Sequence, residues 1–98
     1  IEKQPSKLHS DALRMSLVES IIEFDSGSAE KVFNEINSPQ KGHAIAAQKR
    51  LNARWWTMKS ILNPSMAIVA LREAISLNKA TGCHHAAKQL TARLHKLL

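Results

Sequence analysis

Helix breakers are rare in this chain, and their placement constrains its fold more than any other feature. Only three glycines and three prolines occur in 98 residues. Between Gly27, Pro39, Gly42, Pro64 and Gly82, apolar residues recur every three or four positions. That is the period of an α-helix with one face against a core. Five helical segments follow from it. The first spans residues 6–24, where Leu8, Ala12, Met15, Val18 and Ile22 form one stripe. Leu13, Leu17, Ile21 and Phe24 form a second stripe beside the first, which predicts a wide buried face. Asp25-Ser26-Gly27 ends the segment.

The second segment spans residues 28–37, with Ser28 as cap, Glu30 in the first turn, and Val32, Phe33 and Ile36 buried. Ser38-Pro39 is a start signal for the third, because serine supplies a capping oxygen and proline at the first helical position loses no needed donor. Gly42 weakens that first turn, so the regular helix is expected over residues 43–62. Its core stripe is Ala44, Ala47, Leu51, Trp55, Met58 and Leu62. Asn63-Pro64 repeats the signal and opens a fourth helix over residues 64–78, with Ala67, Leu71, Ala74 and Ile75 facing inward and Ile68 and Val69 widening the stripe. After the break at residues 79–82, a fifth helix spans 83–97, with Cys83, Ala87, Leu90, Leu94 and Leu97 in register.

Composition supports this pattern. Apolar residues make up 44% and aromatics 4%, with no tyrosine, which argues against both a disordered tail and a β-sandwich. A chain of this size builds one core. The expected fold is therefore all-α: a compact bundle of about five helices in a single domain over residues 1–98. The chain opens with Ile1 rather than Met, which leads us to expect a fragment of a larger protein. A weak echo at an offset of about 40 residues pairs Gly42, Ala46-Ala47 and Leu51 with Gly82, Ala86-Ala87 and Leu90. Tandem helical hairpins have such periods.

Charge is distributed unevenly. Residues 1–38 hold four basic side chains and seven acidic ones, a net of −3. Residues 39–98 hold ten basic side chains and a single acid, Glu73, a net of +9. So one-sided a balance exceeds what solubility needs and predicts an anionic partner. The densest stretch is Gln48-Lys49-Arg50-Leu51-Asn52-Ala53-Arg54-Trp55-Trp56-Thr57-Met58-Lys59. Adjacent helical residues point about 100° apart, so the two tryptophans cannot share one stripe centre. The spacing puts Trp55 in the core with Leu51 and Met58, and Trp56 on a basic face with Lys49 and Lys59. Arg50 and Arg54 fall on an adjacent strip. Lys88, Arg93 and Lys96 of the fifth helix extend the basic surface if the two helices pack side by side.

No catalytic constellation stands out. There is no Walker loop, GxGxxG, GxSxG or HExxH. Cys83-His84-His85 holds ligand types, but neighbouring helical residues face apart, and structural zinc needs four converging ligands. No cofactor, metal or small-molecule substrate is expected. With one cysteine no internal disulfide can form, so an intracellular, reducing compartment is the expected location. The expected function is a non-catalytic binding module. Its foremost partner is nucleic acid, with Lys49, Arg50, Arg54, Lys59, Lys88, Arg93 and Lys96 on phosphates and Trp56 stacking on a base. The third helix is long enough to enter a major groove. The alternatives are a protein-interaction domain that docks an acidic peptide or helix, and a domain that targets anionic membranes through phosphoinositides.

Overall fold

The computed structural model describes residues 7–39 and 44–98, and every regular element within them is helical. The helices are α1 (Lys7–Ile21), α2 (Ser26–Phe33), α3 (Ala46–Leu62), α4 (Ala67–Ala80) and α5 (His84–Leu97). A 3-10 turn, Pro64–Met66, leads into α4. The all-α fold is the one the periodicity predicts. The described residues divide into two compact units, one ending at Ser38 and the other beginning at Pro39.

In the first unit α1 packs on α2. Met15 and Val18 are fully buried, as are Ala29, Phe33 and Ile36 to within a few per cent. The second expected stripe of α1 does not follow. Leu13, Leu17 and Phe24 are exposed, Phe24 by 86%. An eight-residue α2 is only about 12 Å long and covers one stripe of α1, not two. The start of α2 also differs from the expected Ser28. Asp25 is the cap: its Oδ1 accepts the Ser28 N–H at 3.0 Å and its Oδ2 accepts the Ser28 hydroxyl at 2.6 Å. A carboxylate at the positive end of a helix is the stronger cap, and Ser28 becomes its donor. Asp11 is buried, and its carboxylate accepts from Asn37 Nδ2 at 3.0 Å and Arg14 at 3.5 Å. This ties α1 to the chain after α2.

In the second unit α4 packs against both α3 and α5. Leu71, Ala74, Ile75, Ala87, Leu90 and Leu94 form the cluster at the α4–α5 seam. The Ser38-Pro39 start signal is not used: both residues lie outside any helix, and α3 begins at Ala46 after Ile45. Gly42 and His43, which bore on that start, lie outside the described residues. Asn63-Pro64 does act as a start, but of the 3-10 turn, with α4 proper following at Ala67.

The α4–α5 corner is closed by a Schellman motif. Cys83 N–H donates to the Asn78 carbonyl at 2.8 Å and Gly82 N–H to the Lys79 carbonyl at 3.2 Å. Gly82 takes φ +79° there, a left-handed conformation that glycine adopts without a Cβ penalty. Cys83 is half-buried and Leu97 is 50% exposed, so the core stripe of α5 is narrower than expected at both ends.

Candidate functional site

The expected centre of the site was α3, and its packing there is different. Leu51 and Met58 are buried on one stripe, Ala53 and Ser60 on another. At about 100° per residue these two stripes lie on opposite sides of the helix. Trp56 falls with Ala53 and Ser60, and it packs against the α4–α5 cluster. Both tryptophans are half-buried, Trp55 with its indole Nε1 out of solvent, and Trp56 does not stand on an open basic face. Trp56 supports the core, while Trp55 carries the Lys59 ammonium 5.7 Å from its ring centroid. The rings meet edge to face at 4.9 Å. Asn52 is buried between the two stripes on the Lys59 side, so burial runs round most of α3 and leaves one narrow open side, at Arg50 and Ile61. Arg50 and Arg54 lie towards that side and Lys59 about 180° round from Arg50, so they form no common face. Lys49 is half-buried on the Ala53–Trp56 side.

The open basic surface belongs to α5. Its buried stripe is Ala87, Leu90 and Leu94. Opposite that stripe, within an arc of roughly 100°, stand His85, Lys88, Gln89, Ala92 and Lys96. All five are exposed. Arg93 is exposed on one shoulder, and His84 and His95 on the other. The helix contains no acidic residue. Of the expected contacts, the structure therefore brings Lys88, Arg93 and Lys96 onto one helix and separates them from those of α3.

Two grooves run along this helix. On one side a groove of about 390 Å³ lies between α4 and α5, lined by Arg72, Ser76, Lys79 and Thr91 over a floor of Ile75 and Leu94. On the other side a groove of about 330 Å³ has Arg93 and Lys96 beside Ser60, Ala67 and Leu71. Neither is lined by an acid. Glu73 sits about 100° round α4 from Arg72, away from the first groove. Arg72 and Lys79 are additions that sequence reasoning missed. Their signal was present: seven residues apart, they share one face of α4 with Ile75.

Among the described residues no group of three or more His, Cys, Asp or Glu side chains is placed to hold a metal ion. No described helix is long and apolar enough to cross a membrane. No protein-family profile, no curated protein sequence and no solved structure matches this chain.

Proposed function

We propose that the second unit is a non-catalytic module that binds nucleic acid through the α4–α5 face. The observation that carries this reading is the charge balance of that unit combined with its layout. Residues 39–98 contain ten basic side chains and one acidic side chain, so carboxylates within the segment cannot balance its charge. Arg72 and Lys79 on α4, and Lys88, Arg93 and Lys96 on α5, are all exposed. A polyanion with regularly spaced phosphates is the partner that engages several such cations at once.

The test is fluorescence anisotropy of a labelled mixed-sequence duplex, titrated with the full chain at several salt concentrations. Four phosphate contacts, from Arg72, Lys79, Arg93 and Lys96, give a slope of roughly −3.6 in log K against log salt. Affinity then falls about 150-fold between about 50 and 200 mM salt. Absence of binding at the lower salt refutes the reading and turns the search to an acidic protein or lipid surface.

A further inference from the structure

We infer that α5 is the element that enters the major groove of B-form DNA, with α4 clamping the phosphates along one rim. This rests on the nucleic-acid reading above and goes beyond it by naming the element, the groove and the form of the duplex. An α-helix with its side chains is about 10–12 Å across, and the major groove is about 12 Å wide. To enter, a helix must be free over a broad arc and supported from behind. α3 fails this condition because burial runs round most of its circumference and leaves only Ala46, Arg50 and Ile61 exposed. α5 meets it: one stripe is held by the Leu71–Ala74–Ile75 side of α4 and by Trp56, and the opposite arc is open.

The chemistry along the open arc fits the division of labour in a DNA groove. Ala92 and His85 stand at its centre, with Lys88 at one edge and Gln89 at the other. Lysine donates to guanine O6 and N7, glutamine pairs with adenine N6 and N7, and alanine contacts a thymine methyl or leaves room for a base pair. Cations flank the arc on both sides. Arg93 stands on one shoulder, with Lys96 inside the arc next to it. On the other, Arg72 and Lys79 project from α4, whose axis runs about 8–10 Å from that of α5. This spacing places them at the groove's edge, where the phosphates lie, while α5 occupies its middle. A cation row on either side of a polar, small-residue centre is what a helix needs to be held by the backbone while it reads base edges. Charge complementarity selects the occupant, since neither adjoining groove is lined by an acid. A-form RNA has a deep, narrow major groove that does not admit a helix, so the proposal commits to DNA.

The experiment uses the full chain and three labelled probes of one mixed sequence: duplex DNA, its single strand and duplex RNA. The expected result is duplex DNA bound at least tenfold more tightly than either of the others. Arg72→Gln combined with Lys79→Gln should lower the salt slope by about two and weaken binding to every duplex alike. Lys7→Gln combined with Lys31→Gln removes the same two charges from the first unit and should leave the slope unchanged. Ala92→Phe changes no charge but fills the centre of the arc. It should cost at least tenfold in affinity at an unchanged slope, with circular dichroism and the melting temperature confirming that the helices persist. Equal binding of duplex and single strand, or Ala92→Phe binding like the parent, overturns groove entry while leaving nucleic-acid binding standing. Failure of all three probes to bind overturns both.

Discussion

Replacing Leu71 by alanine tests the architecture of the second unit most directly. Leu71 is 1% exposed and belongs to the cluster that joins α4 to α5. Its removal deletes about three methylene equivalents, which at about 0.8 kcal/mol each is roughly 2.4 kcal/mol of transfer free energy. A cavity term adds to this, but Leu71 also lines the groove shared with Ser60 and Ala67, which opens to solvent. Water therefore reaches the vacated space, and the cavity term stays at the low end of the known range, bringing the total to about 3 kcal/mol. A unit of this length has a stability of only about 3–9 kcal/mol, so the loss is severe. The chain's two tryptophans, Trp55 and Trp56, both lie on α3, so fluorescence in urea reports on this unit. With a slope of about 1–1.5 kcal/mol per molar urea, the midpoint should drop by roughly 2–3 M. Val69→Ala, on the same helix at 55% exposure, should move it little. A shift below about 0.5 M for Leu71→Ala would mean that the α4–α5 seam is not the core, and the support assigned to α5 would go with it.

Three further outcomes follow. Gly82→Ala meets no steric obstacle, because nothing lies within 4 Å of the added Cβ, so its cost is that of the positive φ alone. That cost is about 1–2 kcal/mol, seen as a melting temperature roughly 4–15 °C lower, with Gly82→Asn less affected; an unchanged temperature would contradict the Schellman geometry. The bonds from the Ser28 hydroxyl and N–H hold the Asp25 carboxyl below its ordinary value. The cap is therefore fully present at neutral pH and is lost only as pH falls below the usual carboxylate range, so the Ser28 amide resonance should titrate with a midpoint under that range, and a midpoint at or above it would deny the cap. Trp56→Phe should destabilise the fold yet keep DNA affinity within about twofold, whereas a tenfold loss in a folded variant would return Trp56 to stacking on a base.

Much of the architecture could be read from the sequence, for reasons that differ from helix to helix. α4 and α5 are short and bury one stripe each, so apolar spacing alone predicted Leu71, Ala74, Ile75, Ala87, Leu90 and Leu94. α3 resisted the same reading because its second buried side is disguised as polar. Ser60 is buried with its hydroxyl donating to the Thr57 carbonyl at 2.6 Å, and buried Asn52 accepts from Gln48 at 2.8 Å. Polar groups satisfied within their own helix can be buried at little cost, and no periodicity count detects them. α1 shows the reverse case: Leu13, Leu17 and Phe24 have core spacing but no second helix to cover them among the described residues of their unit. Apolar residues tend inward, but spacing alone does not supply the partner that buries them.

The hidden burial of α3 also moves the site away from where the charge pattern predicts it. A long helix dense in cations and tryptophan looks like a recognition element when only one of its sides is known to be buried. Once Asn52, Ala53, Trp56 and Ser60 extend burial round the helix, only Arg50 of its cations stays exposed. The less conspicuous α5 has no tryptophan and fewer consecutive charges, yet it keeps an unbroken exposed arc. Arg72 and Lys79 contribute to that arc only through the packing of α4 beside it. Charge density along a sequence measures how strongly a segment attracts a polyanion. Which helix can lie against that polyanion is decided by the sides that packing leaves open, and here packing leaves α5 open.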